Sequence, residues 1–335
     1  MRVTVIGAGS WGTTIAGILG KKNPVTLWVR REKLAKAIEH SRENAEYLPG
    51  MAVPETVTVT TDLREAASKM ELLVMGVPSH QYRSVLEKAA DYIPNDVPIV
   101  SLAKGIEART LMRMTEVTID ILPTHDINRI GVLTGPNLAA EIAIGQPTAS
   151  VIAMRDLEIA SSLQNIFMTP ALRVYTNEDV IGCEAAGALK NVMAIAAGMA
   201  QGLGFGDNTM ATLITRSLAE LTRLGVAMGG RPLTFSGLAG IGDLIATCTS
   251  QKSRNRTVGY NLGQGKKLEA ILVETKEVAE GINSTRGVLD LAKQYEIEMP
   301  IAEQVGRVLY ERVSPSDAVG VLMAREAKAE MEGID

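Results

Sequence analysis

The sequence predicts an α/β protein in which a doubly wound sheet is followed by an all-helical C-terminal domain. Short β-rich runs alternate with amphipathic helical patterns up to about Asn177. From Glu178 onward the sequence shows no strand-like run. The 335 residues also exceed the ~250 residues at which a single hydrophobic core usually stops growing. We therefore expect two domains, residues 1–178 and residues 179–335.

Seven apolar, β-rich runs are the predicted strands of the N-terminal domain. They are Val3–Ile6, Val25–Val29, Glu71–Val77, Ile99–Leu102, Ile130–Leu133, Ser150–Ala153 and Leu172–Tyr175. Helical patterns lie between several of these runs, for example Trp11–Gly20, Arg31–Ser41 and His80–Tyr92. Strands that alternate with helices form βαβ units, so the expected sheet is mostly parallel and Rossmann-like.

The C-terminal half is rich in Ala, Leu, Met, Glu and Arg at helical spacing. The helical patterns are Val180–Ala200, Met210–Met228, Leu268–Val273, Ser284–Tyr295 and Ile301–Val313. The longest apolar stretch, from about Ile181 to Leu203, contains Glu184, Lys190 and Asn191. These polar residues favour a buried helix over a membrane span.

Composition and charge argue against several classes of protein. The net charge is −4, from 34 basic and 38 acidic residues, and lacks the basic excess of a nucleic-acid-binding protein. Cys183 and Cys248 belong to no CxxC pattern, so neither a metal site nor a disulfide framework is expected. The first residues, MRVTVIGAG, enter a strand without an apolar signal region. We therefore expect a cytoplasmic protein.

A glycine-rich motif follows the first predicted strand and opens a helical pattern. Gly7, Gly9 and Gly12 form GxGxxG, which permits a tight turn, a close approach of the backbone to a pyrophosphate, and close packing of the helix on the strand. The helix N-terminus then offers N–H donors to the anion. The motif predicts a dinucleotide site, although a purely structural turn would show the same glycines.

The end of the second strand indicates which dinucleotide is bound. NAD-specific sites usually carry an acid there to hold the ribose 2′-hydroxyl. Here Arg30 and Arg31 follow the strand, and Glu32 is the first acid. A guanidinium binds a 2′-phosphate well, so we expect NADP(H) and/or NAD(H) as cofactor. The alternative is that both arginines are solvated surface residues.

Lysine and aspartate residues in apolar surroundings are candidates for acid–base chemistry. Lys190 lies in a predicted helix among small apolar neighbours, so its ammonium must either reach water or occupy a cavity with a partner. Asp243 lies in a glycine-rich turn, where it is either that partner or a helix N-cap. Lys104 follows a strand at the carboxyl edge of the sheet, where doubly wound folds bind ligands.

Ser253, Arg254, Asn255 and Arg256 form a short basic cluster that also donates hydrogen bonds. Such a cluster suits a dianionic phosphate group. The same tetrapeptide at a solvent-facing helix start would have no functional meaning.

The chain resembles the bacterial NAD(P)-dependent glycerol-3-phosphate dehydrogenases over essentially its whole length. The segments that carry the resemblance are GAGSWGT (7–13), LWVRR (27–31), VPSH (77–80), AKGIE (103–107), TGPNLAAE (134–141), GALKNVMAIAAGM (187–199), GFGDN (204–208), GLAGIGDLIATCTS (237–250), SRNR (253–256) and VAEGINST (278–285). Their common order along the chain makes the match more specific than any single motif.

The resemblance implies a role for each matching residue. The implied cofactor contacts are Ser10, Trp11, Arg30, Arg31, Lys104, Ala139, Arg254, Val278 and Glu280. The implied substrate contacts are Lys104, Gly135, Asn137, Lys190, Asp243, Ser253, Arg254 and Asn255. Lys190 matches the catalytic proton donor, Asp243 its charged neighbour, and Lys104 a catalytic-site lysine that lies between cofactor and substrate. Position 137 departs from the family, because many relatives carry Thr or Ser where this chain has Asn.

The resemblance further implies hydride transfer between NAD(P)H and dihydroxyacetone phosphate, which forms sn-glycerol 3-phosphate for glycerophospholipid synthesis. The implied partner is a phosphorylated small molecule, and a homodimer is one oligomeric state to consider. Two alternatives remain open. One is a reductase of ketopantoate or a hydroxy acid, which would not need the phosphate cluster. The other is a non-enzymatic NADP(H)-binding redox sensor, which would need neither the lysine nor that cluster.

Overall fold

The computed structural model describes residues 1–274, 279–327 and 329–330. The chain divides into two compact units. The N-terminal unit consists of Met1–Lys104 and Met112–Val180, and the C-terminal unit consists of Gly105–Leu111 and Ile181–Asp335. The segment Gly105–Leu111 therefore belongs to the helical unit. A single division of the chain after residue 178 does not include this segment in that unit.

The N-terminal unit is built on one sheet, which within the described residues has eight strands. These are β1 (Val3–Ile6), β2 (Val25–Trp28), β3 (Val57–Thr60), β4 (Leu72–Met75), β5 (Ile99–Ser101), β6 (Ile130–Thr134), β7 (Thr148–Met154) and β8 (Leu172–Asn177). Their order across the sheet is β3-β2-β1-β4-β5-β6-β7-β8. The pairing of β7 with β6 is antiparallel, and β8 is parallel to β7. The last two strands therefore run opposite to the first six. The predicted doubly wound, mostly parallel sheet is confirmed.

Both faces of the central strands are buried, as expected for a parallel sheet covered by helices. Val5 of β1 pairs with Leu27 of β2 and with Val74 of β4. Along β4 the side chains alternate between two hydrophobic clusters, with Val74 in one cluster and Met75 in the other. This period of two residues places one helical layer on each face of the sheet.

Helices cover this sheet, and the three that the sequence predicts are among them. They are α1 (Ser10–Gly20), α2 (Glu32–Ser41), α3 (Leu63–Ala67), α4 (Ser79–Ala89), α5 (Met114–Ile121), α6 (Ala139–Ala143) and α7 (Leu157–Phe167). The predicted helix His80–Tyr92 ends at Ala89 and continues as a 3-10 turn. The strand β3 is absent from the predicted set. Its sequence Val-Thr-Val-Thr supplies one fully buried side chain, Val57, and its apolar signal is correspondingly weak.

The C-terminal unit is helical, and no strand occurs among the described residues after Asn177. Its helices are α8 (Val180–Gly202), α9 (Asp207–Ala227), α10 (Pro232–Phe235), α11 (Asp243–Thr249), α12 (Arg254–Gly263), α13 (Leu268–Glu274), α14 (Glu280–Gln294), α15 (Pro300–Glu311) and α16 (Pro315–Met323). A π-helical turn, Leu238–Gly242, directly precedes α11.

Helix α8 is the core of the C-terminal unit. By length and composition alone it could cross a membrane, but 94% of its most apolar window is buried inside the protein. Its side chains pack in one hydrophobic cluster with α9, α14 and α15, for example Leu189 with Leu221 and Val305. The predicted buried helix is therefore present, and packing inside the protein explains its apolar sequence.

Candidate active site

The glycine-rich motif joins β1 to α1 at the centre of the sheet. Gly7 has a φ of +117°, and a Cβ atom there would lie 2.6 Å from the carbonyl oxygen of Gly76, which follows β4. Because β1 and β4 are neighbours, this turn lies where the strand order reverses. Open α/β sheets bind their ligands at that switch point.

The turn has the shape and the donors that a dinucleotide requires. A Cβ atom on Gly12 would lie 2.0 Å from the Gly7 carbonyl oxygen, whereas one on Gly9 would meet nothing within 4 Å. Gly9 caps α1 without a side-chain hydrogen bond, so the first amides of the helix remain available to an anion. The indole Nε1 of Trp11 is buried without a partner in the described structure. The residues present therefore fit a dinucleotide.

Both strand-end arginines are exposed and already hold a polar partner. Arg30 donates from Nη1 to Oε1 of Gln81 at 2.9 Å. Arg31 donates from Nη2 to Oε1 of Glu46 at 2.7 Å. A 2′-phosphate would have to share or displace these partners. Sequence reasoning did not single out Glu46, because it lies fifteen residues from Arg31 in a segment without a motif.

The loop after β6 is held by Lys104. The ammonium of Lys104 donates to the carbonyl oxygen of Gly135 at 2.8 Å, and Gly135 has a φ of +119°. Asn137 accepts a hydrogen bond at Oδ1 from the Ser150 hydroxyl at 2.6 Å. Its Nδ2 is buried without a partner in the described structure. This loop therefore offers an amide donor, and α6 begins just beyond it at Ala139.

Lys190 forms a buried ion pair with Asp243 in the C-terminal unit. It lies in the middle of α8 and is 5% exposed, while Asp243 is 1% exposed. The Lys190 ammonium donates to the Asp243 carboxylate and to the Thr247 hydroxyl oxygen, the latter at 2.7 Å. Thr247 in turn donates to the main-chain carbonyl of Asp243 at 2.6 Å. The structure thus brings together two of the predicted residues and adds Thr247.

The π-helical turn before α11 determines where Asp243 lies. A Cβ atom on Gly240 would be 2.0 Å from the carbonyl oxygen of Phe235, so only glycine allows this turn to pack so closely. The N-cap of α11 is Gly242, and the carboxylate of Asp243 is directed to Lys190. Of the two interpretations of Asp243, the structure supports the partner of the lysine. Turns of this kind occur often at functional sites.

Cys248 lies near Lys190 and Asp243, and its buried environment makes its thiol unreactive. Burial raises the pKa of its thiol to about 12, against the opposing effect of the nearby Lys190. The thiolate is the nucleophilic form of cysteine, so Cys248 serves as a small apolar side chain near the lysine.

The predicted phosphate-binding cluster, residues 253–256, forms the N-terminus of α12. Ser253 is the N-cap, and its hydroxyl accepts from the Arg256 amide at 3.3 Å. Arg254 is the first helical residue and is exposed. Asn255 is buried and donates from Nδ2 to Oδ1 of Asn191 at 2.9 Å, while its Oδ1 accepts from the Gly281 amide at 2.9 Å. Asn255 therefore links α12 to α8 and to the start of α14, next to Lys190.

Close glycine contacts between α8 and α12 make this link possible. A Cβ atom on Gly198 would lie 2.0 Å from the carbonyl oxygen of Arg256, and one on Gly259 would lie 2.0 Å from that of Ile195. The two helix backbones can approach only where these side chains are absent. This crossing places the first turn of α12 beside the middle of α8.

Some residues of the site were not predicted, and one predicted residue cannot be placed. Thr247 follows Asp243 by four residues, one helical turn, and that spacing was the available signal. Asn191 is adjacent to Lys190, but its contact with Asn255 depends on the fold. Val278 lies outside the described residues, whereas Glu280 begins α14. Among the described residues no group of His, Cys, Asp or Glu could hold a metal ion.

Comparisons with known proteins agree over the whole chain. Residues 2–160 match the family model for the N-terminus of NAD-dependent glycerol-3-phosphate dehydrogenase, and residues 179–320 match the model for its C-terminus. A glycerol-3-phosphate dehydrogenase [NAD(P)+] 2 from Sphingopyxis alaskensis is 52% identical over 91% of both chains. The enzyme from Pelotomaculum thermopropionicum is 47% identical over 99% of this chain and 96% of its own.

A solved structure shares the complete fold. The glycerol-3-phosphate dehydrogenase of Coxiella burnetii superposes with a TM-score of 0.92 at 35% identity, over 97% of this chain and 99% of that one. Both family models, the full-length relatives and the two-unit fold lead to the same assignment. The chain belongs to the NAD-dependent glycerol-3-phosphate dehydrogenase family.

Proposed function

We propose that this chain interconverts dihydroxyacetone phosphate and sn-glycerol 3-phosphate with NAD(P)H or NAD(P)+, and so supplies glycerol 3-phosphate for glycerophospholipid synthesis. The observation that carries the proposal is the buried ammonium of Lys190, held by Asp243 and Thr247 in the helical unit. A ketone that accepts hydride needs a proton and a positive field at its oxygen. A buried, partnered ammonium can provide both.

When bound, the nicotinamide dinucleotide supplies or accepts the hydride. In the direction of reduction, Lys190 stabilises the negative charge that develops on the carbonyl oxygen and donates a proton from Nζ to it. In the reverse direction, the neutral amine takes the proton of the hydroxyl group. Asp243 stabilises the positive charge of the ammonium and fixes the position of Nζ.

Thr247 acts as a positioning residue. Its hydroxyl oxygen accepts from the Lys190 ammonium, and its hydroxyl donates to the main-chain carbonyl of Asp243. These contacts help to hold Nζ at a fixed position, from which the ammonium donates a proton to the ketone oxygen.

The N-terminus of α12 is the proposed site of the substrate phosphate. Its first amides and the Arg254 guanidinium can bind a dianion that takes no part in the reaction. The Asn255 side chain already bonds Asn191 and Gly281, so its main role in the proposal is to hold α12 beside Lys190. Lys104, Gly135 and Asn137 are kept as further proposed substrate contacts of the N-terminal unit.

A substrate panel with both reduced cofactors tests the function. We expect NADPH and NADH to be oxidised with dihydroxyacetone phosphate and to remain unchanged with ketopantoate or pyruvate. Oxidation with ketopantoate alone would favour the reductase alternative. Binding of NADPH without oxidation by any substrate would favour the redox sensor.

The cytoplasm is the proposed compartment, and a homodimer the oligomeric state to test. Cys183 and Cys248, both among the described residues, are buried and form no disulfide, as is usual in a reducing compartment. Light scattering of the purified chain would determine the number of subunits.

A further inference from the structure

Arg31 at the end of β2 is held by two residues of the segment 43–48, which follows α2. Its Nη2 donates to the Glu46 carboxylate at 2.7 Å and to the Tyr47 hydroxyl at 3.2 Å. The guanidinium carbon lies 5.6 Å from the centre of the Tyr47 ring. The hydrogen bond from Arg31 lowers the pKa of the Glu46 carboxyl, so this acid carries its full charge at neutral pH. The Glu46 carboxylate is therefore already paired with the Arg31 guanidinium, the cation that would bind a 2′-phosphate.

The segment is fixed to the glycine-rich turn and does not simply touch Arg31 from solvent. Asn44 is fully buried, and its Nδ2 donates to the Ala8 carbonyl at 2.9 Å and to the Thr13 hydroxyl at 2.8 Å. Ser10 donates from its hydroxyl to the Tyr47 carbonyl at 2.8 Å. The backbone on both sides of Glu46 is thus anchored to the cofactor motif. The fold therefore fixes the main chain at Glu46, from which the carboxylate reaches Arg31.

The two strand-end arginines differ in the charge of their partner. Arg30 bonds the neutral Gln81, whereas Arg31 bonds the anionic Glu46. A phosphate that approaches Arg31 meets a second anion and must compete for the same N–H donors. The pair is about half exposed on both sides, and such surface pairs are weak in water. Glu46 can therefore reduce phosphate affinity without preventing phosphate binding.

We propose that Glu46 is a specificity-determining residue for the cofactor. By holding Arg31 it weakens the preference for a 2′-phosphorylated dinucleotide, so that the chain accepts both NAD(H) and NADP(H). This inference rests on the proposed function, because it concerns the same cofactor site. It concerns only the adenosine ribose end of the cofactor, and it assigns no role to Glu46 in hydride or proton transfer.

Calorimetric titration with cofactor fragments tests the proposal without turnover. The probes are 2′,5′-ADP, which carries the 2′-phosphate, and 5′-AMP, which lacks it. In the full-length chain, Glu46→Gln should tighten binding of 2′,5′-ADP by about 3- to 10-fold, as expected for removal of one screened charge beside the phosphate. Binding of 5′-AMP should change by less than about twofold. Glu46→Ala should give the same pattern if the charge is responsible.

Glu39→Gln is the matched control, because Glu39 is an exposed acid of α2 and its loss changes the net charge equally. It should leave both affinities as in the wild type. An unchanged ratio of the two affinities in Glu46→Gln, or the same ratio change in Glu39→Gln, would overturn the proposal. Failure of the wild type to bind either fragment would overturn it as well.

Steady-state assays separate this inference from the proposed function. The ratio of kcat/KM for NADPH to that for NADH should rise in Glu46→Gln by the factor found for 2′,5′-ADP. If the wild type oxidises neither cofactor with dihydroxyacetone phosphate, the proposed function fails while the fragment titrations still decide the role of Glu46. If the wild type is active and the fragment ratio is unchanged, only the inference about Glu46 fails.

Discussion

The two units of this chain build their proposed ligand-binding surfaces from different groups. In the N-terminal unit the surface is mostly main chain, because Gly7, Gly9 and Gly12 allow a sharp turn that leads into α1 without a side-chain cap on the first amides of the helix. In the C-terminal unit it is made of side chains, the Lys190 ammonium with Asp243 and Thr247, which come from two helices. The first surface suits an anion of fixed shape, whereas the second suits a reaction that needs a proton.

This difference separates binding from chemistry. A site of backbone amides loses little when one side chain is changed, because most of its donors remain. A buried ammonium has few substitutes, and its loss also breaks a buried ion pair. Substitutions in the C-terminal unit should therefore change turnover most, and substitutions at the end of β2 should change affinity most.

Replacement of Lys190 should give the largest effect on activity. Lys190→Ala should lower kcat by about 10²- to 10⁴-fold, the usual range for the loss of a general acid. Lys190→Arg should also be poor, because a guanidinium hardly gives up a proton. Stopped-flow measurement of NADPH oxidation gives the rate. Near-normal turnover in Lys190→Arg would mean that Lys190 supplies charge and that another group donates the proton.

The buried pair requires a control for stability. In Lys190→Ala the Asp243 carboxylate loses its ammonium partner, and breaking a buried ion pair in this way typically costs about 3–5 kcal/mol of folding free energy. The double variant Lys190→Ala/Asp243→Asn removes that charge and should recover most of the stability in urea unfolding. Its kcat should remain as low as that of Lys190→Ala. Recovery of turnover together with stability would mean that the single variant was inactive only because it was unfolded.

Arg254 should have the next largest effect, and it should be specific for the phosphorylated substrate. Arg254→Ala should lower kcat/KM for dihydroxyacetone phosphate by at least about 10²-fold, as expected for a lost charge-assisted contact. The low activity on dihydroxyacetone should change little. The ratio of the two kcat/KM values at saturating NADPH is the measurement. Lys252→Ala, which removes an exposed cation just before the N-cap, is the control, and an unchanged ratio in Arg254→Ala would exclude it as the phosphate site.

The sequence predicted the N-terminal surface better than the C-terminal one, for a physical reason. The turn at Gly7 is a local motif whose function depends on six consecutive residues, and it appears where expected between β1 and α1. Lys190 and Asp243 were paired as an expectation, but Thr247 and Asn191 were not. Contacts across 57 and 64 residues of chain depend on how helices cross, and no local pattern encodes that crossing.

The same distinction holds for the fold. Strands with two or more buried apolar side chains were predicted, including the edge strand β8, whereas the edge strand β3, with one fully buried side chain, was not. The helical half was recognised from composition, but the π-helical turn Leu238–Gly242 was not expected. Its glycines are visible in the sequence. What directs Asp243 to Lys190 is the close packing of Gly240 on Phe235, which only the folded chain shows.

A second buried carboxylate of the C-terminal unit should make stability depend on pH. Glu220 is 2% exposed and accepts from the amides of Ile301 and Ala302 at the start of α15. Burial raises the pKa of Glu220 from 4.5 to about 7, more than Arg223 and these amides lower it. The folded chain then binds this proton more tightly than the unfolded chain. The contribution of Glu220 to the free energy of unfolding is fully present below pH 4.5 and is lost as pH rises through about 7.

Urea unfolding of the wild type and Glu220→Gln over that pH range tests this effect. As pH rises from 4.5 to about 7, the free energy of unfolding of the wild type should fall by up to about 3 kcal/mol relative to that of the variant. The slope should be about 1.4 kcal/mol for each pH unit. Gln keeps an acceptor for the α15 amides but cannot ionise. A difference that stays constant with pH, or that grows in the opposite direction, would show that Glu220 is ionised throughout.

The smallest effects are expected at Arg30 and Arg31, and they complete the comparison of the two units. Both side chains are exposed and hold other partners, so each should contribute only about 1 kcal/mol to the binding of a 2′-phosphate. We expect Arg30→Ala and Arg31→Ala each to raise the KM for NADPH about fivefold, with less than a twofold change for NADH. The kcat should stay within about twofold of the wild type for both cofactors, because neither arginine serves the proton transfer. Arg30→Ala should have at least as large an effect as Arg31→Ala, since Glu46 already pairs with Arg31 in the folded chain.

Equal changes for NADPH and NADH would mean that these arginines do not bind the 2′-phosphate. A loss of kcat as large as that of Lys190→Ala would mean that the end of β2 takes part in chemistry, and the separation of binding from chemistry between the two units would be wrong.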